Sequence, residues 1–193
     1  MRLDILNNGY GIGPRVLFKI IRLFSGHPVP DAAKLTFYRS DFYGNTMKTF
    51  TQLAMRGPSA WSIADRELMA AYVSKINESP FCIYTHSATA ARAYHDPDKV
   101  EAVLAGLDSA PVDEPLKQTL HLVAKLTREG RVDDDDVRAV LSAGASPEQV
   151  EDALDVCFAF NTTARLANTF GFELLSPEGF EAGAKYLLKR GYR

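Results

Sequence analysis

The sequence predicts an all-α protein, and three observations carry that expectation. Apolar residues recur at helical spacing in successive segments, as in Leu116, Leu120, Val123 and Leu126, the period of one helix face rather than of a strand. Serine followed by proline occurs at Ser79-Pro80, Ser146-Pro147 and Ser176-Pro177. Each pair reads as an N-cap and a first helical residue whose missing N–H costs nothing. No alternating run of useful length argues for a strand.

The elements follow in order. Pro14 to Phe24 interleaves Val16, Leu17, Ile20, Ile21 and Phe24 with Lys19 and Arg22, a short amphipathic helix expected to pack on the body of the protein or on a neighbouring subunit. His27-Pro28-Val29-Pro30 breaks the chain into a loop. Tyr43 to Met55 reads as a helix closed by Arg56-Gly57-Pro58, and Ser62 with Asp65 forms a capping pair for a helix ending near Asn77. Ser79-Pro80 opens the next helix, which runs to about Tyr94, and a turn at His95 to Asp98 leads to a short helix ending at Ala105. Asp113 to Glu129 is helical. The acidic run Asp133 to Asp136 is a dipole-favoured helix start, without the ligand spacing or turn glycine of a calcium loop. Two more helices end near Phe170 and Arg190.

Composition bounds the function. At 193 residues, 46% hydrophobic and 24% charged, the chain can bury a substantial core as one domain spanning 1–193. It divides into a helical lead-in (1–57), a motif region (58–110) and closing helices (111–193). A net charge of −2 gives no electrostatic argument for nucleic acid or an anionic membrane. Two cysteines do not make a secreted disulfide scaffold. Met1 to Gly13 lacks the layout of a signal peptide, and no run is long enough to cross a bilayer, so a cytoplasmic location is expected. Gly9-Tyr10-Gly11-Ile12-Gly13 lacks the strand and the Lys-Ser/Thr of a phosphate loop.

The chemistry concentrates around Cys82, His86 and Glu67. Cys82 falls in the first turn of its helix, where free N–H groups and the helix dipole favour thiolate over thiol. His86 is four residues on, over the same face, and can accept the thiol proton. Glu67 shares a face with Ile63, Ala70, Ala71 and Ser74, small enough for close helix approach, so its carboxylate is expected to be buried and to need a partner. Two readings fit these residues alone. In one they form a Glu–His–Cys proton relay around an ionised, reachable sulfur. In the other Cys82 is an inert core residue and Glu67 pairs with Arg66 or Lys75. A metal site is not expected, because no second ligand pair completes one.

The pattern Arg66-Glu67-Leu68 … Asn77-Glu78-Ser79-Pro80-Phe81-Cys82 … His86 resembles the core motif of the AhpD-like alkylhydroperoxidases, within the carboxymuconolactone decarboxylase superfamily. The stretch from Phe37-Tyr38 to Arg56-Gly57-Pro58-Ser59 resembles the lead-in of longer, peroxidase-related members, and Phe160-Asn161 to Asn168 their closing helix. The resemblance, over about residues 36 to 175, implies an AhpD-like fold of about eight to ten helices and a homo-oligomer with an apolar helical interface. It implies catalytic roles for Cys82 as the peroxide-attacking thiol, His86 and Glu67, with no cofactor.

One position departs. Where the family has its first, resolving cysteine, this chain has Ser79. No local disulfide can then form, and Cys157, amid Val156, Phe158 and Phe160, reads as core. The resemblance therefore implies a hydroperoxide reductase in which an external thiol resolves a single oxidised cysteine. The alternatives are a cofactor-free lyase in which Glu67 and His86 do acid–base work on an organic acid, and a non-catalytic oligomeric relative. Asn161, Arg165 and Asn168 either line the cleft or satisfy buried groups, the structural role being the commoner.

Overall fold

The computed structural model describes residues 4–192. Helices α1 (Ile5–Asn8), α2 (Ile12–Ser25), α3 (Asp31–Tyr38) and α4 (Asn45–Arg56) form the lead-in. Helices α5 (Ile63–Ile76), α6 (Pro80–Tyr94) and α7 (Pro97–Ala105) carry the motif. The closing helices are α8 (Glu114–Glu129), α9 (Asp134–Ser142), α10 (Pro147–Phe170) and α11 (Pro177–Arg190). No strand occurs among the described residues, and none of their helices is long and apolar enough to cross a membrane.

Local chemistry explains the helix starts. The Ser62 hydroxyl accepts from Asp65 N–H while the Asp65 carboxylate accepts from Ser62 N–H, a reciprocal capping box at α5. Ser146 and Gln149 repeat it at α10. The acidic run is also a cap: Asp133 and Asp136 form the same box at α9, and both receive Lys125.

Helix α5 is the axis of the fold. Every residue from Arg66 to Ser74 is buried, because α6, α10, α8 and α7 pack around it. A helix enclosed on all sides shows no amphipathic stripe. Its apolar side chains Leu68, Met69 and Val73 join Leu120, Val123, Val156 and Phe160 in the main core.

The loop expected at His27 to Pro30 is present, and Pro30 stands at the N-cap of α3, a helix not expected from the sequence, whose Leu35 is fully buried with Leu6, Met47 and Phe170. A π-turn at Ser40–Gly44 then delays α4 to Asn45. Helix α2 forms as expected, yet it buries no residue on the body of the protein. Only Phe18 anchors it through rings, edge-on to Tyr10 and Phe37.

Candidate active site

The turn from α5 to α6 presents the motif. Glu78 adopts a left-handed conformation at φ 51°, which bends the chain sharply enough to run α6 along α5. Helix α10 fixes that turn through its mid-helix polar residues. Asn161 Oδ1 accepts from Asn77 Nδ2, Asn168 Nδ2 donates to the Asn77 carbonyl, and Arg165 Nε donates weakly to Asn77 Oδ1. The structural role expected for these three residues is the one they occupy.

Glu67 is fully buried, and its carboxylate receives three donors. His86 Nδ1 lies 2.7 Å from Oε2, while Arg56 Nη2 at 2.6 Å and the Tyr192 hydroxyl at 2.8 Å share Oε1. Burial pushes the carboxyl pKa up, but the hydrogen bonds and positive charge of His86 and Arg56 outweigh it and hold Glu67 below its ordinary value. An ionised Glu67 accepts from Nδ1–H, which leaves Nε2 as the ring nitrogen not engaged by the carboxylate. The imidazole is further held edge-on to Phe160, with ring centroids 4.3 Å apart.

Arg56 and Tyr192 are the members of this cluster that the sequence reading did not include. Glu67 pairs with neither Arg66 nor Lys75. Arg66 instead donates to the Ala54 and Gly57 carbonyls, shaping the turn that delivers Arg56. Tyr192 arrives from the turn after α11, with its ring 5.1 Å from the Arg56 guanidinium. Gly191 there has φ 70° and ψ −148°, and a Cβ would sit 2.4 Å from Gln52 Oε1. Only glycine fits. Burial and the Glu67 charge push the Tyr192 hydroxyl well above its usual pKa, so it remains a donor. Tyr192→Phe removes one charge-assisted hydrogen bond and is expected to cost about 1.5–3 kcal/mol in denaturant unfolding.

Cys82 corrects one expectation. It lies in the first turn of α6, one turn before His86, but it is only 1% exposed among Phe81, Ala164, Ala167 and Phe180. Burial pushes the thiol up to about 11, against the smaller opposing influence of the Ser79 and Ser74 hydroxyls. The apolar surroundings outweigh the helix start, so the resting sulfur is a protonated thiol rather than an exposed thiolate. Among the hydrogen bonds of the described residues, none joins it to His86.

Ser79 differs from expectation in a related way. It occupies the N-cap position of α6, yet its hydroxyl makes no capping bond and is buried without a partner in ordinary hydrogen-bond geometry. Ser79→Cys places a second thiol in that position, and oxidation is expected to yield an intramolecular bridge to Cys82. Intact-mass measurement before and after dilute hydroperoxide checks this through the loss of two hydrogens. Cys157 is core as expected, buried beside Thr127 on α8.

No family model matches the chain, nor does the sequence of any curated protein. Solved structures do. An uncharacterized peroxidase-related protein from Silicibacter sp. TM1040 superposes with a TM-score of 0.76 at 25% identity, over 92% of this chain and 93% of that one. An uncharacterized peroxidase-related protein from Ralstonia eutropha JMP134, described as an alkylhydroperoxidase AhpD core, shares the fold with a TM-score of 0.73 at 19% identity, over 91% of both chains. With the all-α architecture these likenesses support an AhpD-like fold for this chain.

Proposed function

We propose that this protein is a thiol-dependent hydroperoxide reductase whose resting site is closed. The observation that carries the reading is the buried Glu67–His86 pair one helical turn from Cys82, held by Arg56 and Tyr192. An imidazole whose Nδ1–H is fixed by an ionised carboxylate keeps Nε2 to accept the thiol proton.

The reaction balances as follows. Cys82 loses its proton to His86 Nε2 as the site opens, and the sulfur attacks the distal oxygen of a hydroperoxide. The O–O bond breaks, and the departing alkoxide takes the proton back from His86 to leave as an alcohol. Cys82 is then a sulfenic acid. An external thiol condenses with it, releasing water and forming a mixed disulfide, and a second thiol releases Cys82 as that thiol's disulfide. Ser79 makes the external thiol necessary. The protein is expected to work as a homo-oligomer in the cytoplasm, without metal or cofactor.

The test is direct. Protein treated with dilute hydroperoxide and a sulfenic-acid trap is expected to carry the adduct at Cys82, and peroxide consumption is expected to depend on added monothiol. An unmodified Cys82 with no peroxide consumed refutes the proposal. A second reading is favoured by one specific observation: the acid–base pair is complete while the thiol is protonated. Under it, Glu67 and His86 act on an organic acid as a lyase, and Cys82 only packs.

A further inference from the structure

Two helices cover the side chains on which the chemistry rests. Helix α10 packs Ala164 and Ala167 with Cys82 and sets Phe160 edge-on to His86. Helix α11 packs Phe180 with Cys82, and the turn after it lays the Tyr192 ring nearly parallel to His86, with centroids 6.3 Å apart. The two covers are held very differently. Val150, Ala153, Val156 and Phe160 fix α10 in the main core. Of the 14 residues of α11, only Gly179, Phe180 and Ala184 are buried, and none belongs to that core.

The polar ties of α11 lie mostly at its far end. Arg56 Nη2 donates to the Leu187 carbonyl at 3.1 Å, Tyr192 N–H donates to Gln52 Oε1 at 2.8 Å, and the Tyr192 hydroxyl reaches Glu67. The pair Arg92–Glu181, at 3.6 Å, is exposed and screened by solvent. Before α11, residues 172–176 form no helix, and Glu173 N–H donates to the buried Asp31 carboxylate at 2.9 Å. The short stretch from Leu174 to Ser176, between that anchor and α11, is where the helix can pivot.

We propose that α11 is the gate of the site and that Tyr192 is its latch. An element with few buried apolar side chains opens at lower cost than the whole protein unfolds. Helix α11 meets that condition and α10 does not. As α11 pivots off α6, Phe180 leaves Cys82 and Tyr192 leaves His86 in one movement. Glu67 keeps His86 and Arg56, which α6 and α4 hold, so the acid–base pair survives the opening. The gate deepens the reductase reading, on which it rests for Cys82 as the reacting atom, by naming the element that moves to admit substrate.

The test follows Cys82 without peroxide. The full chain is alkylated with iodoacetamide, and each cysteine is quantified by peptide mass spectrometry. Cys157 lies in the main core beside α8 and reports global unfolding. Cys82 is expected to react roughly tenfold faster than Cys157 or more, since a local opening is more populated than the unfolded state. In dilute urea its rate is expected to rise far less steeply, because opening α11 exposes little surface. Backbone amides of α11 are expected to exchange hydrogen with the same shallow urea dependence. Tyr192→Phe removes a charge-assisted bond from the closed state alone and is expected to speed Cys82 alkylation about tenfold or more. Equal urea slopes for the two cysteines overturn the proposal, as do α11 amides that exchange only on global unfolding. A Cys82 rate that Tyr192→Phe leaves unchanged overturns it too. A protein that gives the expected labelling yet consumes no hydroperoxide refutes the reductase reading while the gate stands.

Discussion

Glu67→Gln protein is expected to lose about 3–5 kcal/mol of stability, because the change strands charge and donors in the interior. The Arg56 side chain is 9% exposed and loses the one ion pair it makes among the described residues. A glutamine amide turned toward Oε1 would present N–H groups to Arg56 and Tyr192, donor against donor. Guanidinium unfolding checks the magnitude through the midpoint at unchanged slope. Combining Glu67→Gln with Arg56→Met removes the orphaned cation and is expected to recover part of the loss. Peroxide turnover is expected to fall about 10²- to 10⁴-fold in Glu67→Gln, the range of a general acid–base contribution.

The same pair sets an acid limit on stability. Glu67 is held below its ordinary value of 4.5 in the folded protein. Between that value and the lower folded one, the unfolded chain binds the proton and the native protein does not. The contribution is therefore complete above pH 4.5 and is lost as the pH falls through the folded pKa. Wild type and Glu67→Gln are expected to differ most at neutral pH and to converge in acid. A constant difference across that range would mean that Glu67 acts through shape rather than charge.

Why three of these five side chains were legible in the sequence, and two were not, is a matter of distance along the chain. Cys82 and His86 are four residues apart on one helix, and Glu67 lies on the neighbouring helix, so helical geometry alone brings them near one another. Arg56 is 11 residues from Glu67 across a turn, and Tyr192 is 125 residues away beyond α11. Nothing local marks either. The usable signals were Arg56-Gly57-Pro58, which reads as a helix end, and Gly191, whose backbone only glycine adopts. Helix α3 was hidden for a similar reason: Pro28 and Pro30 signal a break, while Leu35 is drawn inward by Leu6 and Phe170, residues distant in sequence. The helix-dipole argument for Cys82 was sound locally, but burial by α10 and α11, invisible to local spacing, outweighed it.

Cys82→Ser is the variant that divides the two chemistries. Serine is nearly isosteric, and the Ser79 and Ser74 hydroxyls are close by, so the fold is expected to survive at a cost of about 1–3 kcal/mol. A hydroxyl cannot be oxidised to a sulfenic acid, so peroxide consumption is expected to fall to the uncatalysed rate while any acid–base turnover by Glu67 and His86 persists. The pH dependence of the wild type adds a second discriminator. With the thiol at about 11, only about one sulfur in ten thousand is ionised at pH 7 without help. A sulfur acting alone therefore predicts oxidation rates that climb about tenfold per pH unit through the alkaline range. Proton transfer to His86 predicts instead a flatter profile, and His86→Gln is expected to convert the flatter profile into the climbing one. Climbing profiles in both proteins would remove His86 from the redox step and leave the buried acid–base pair to other chemistry.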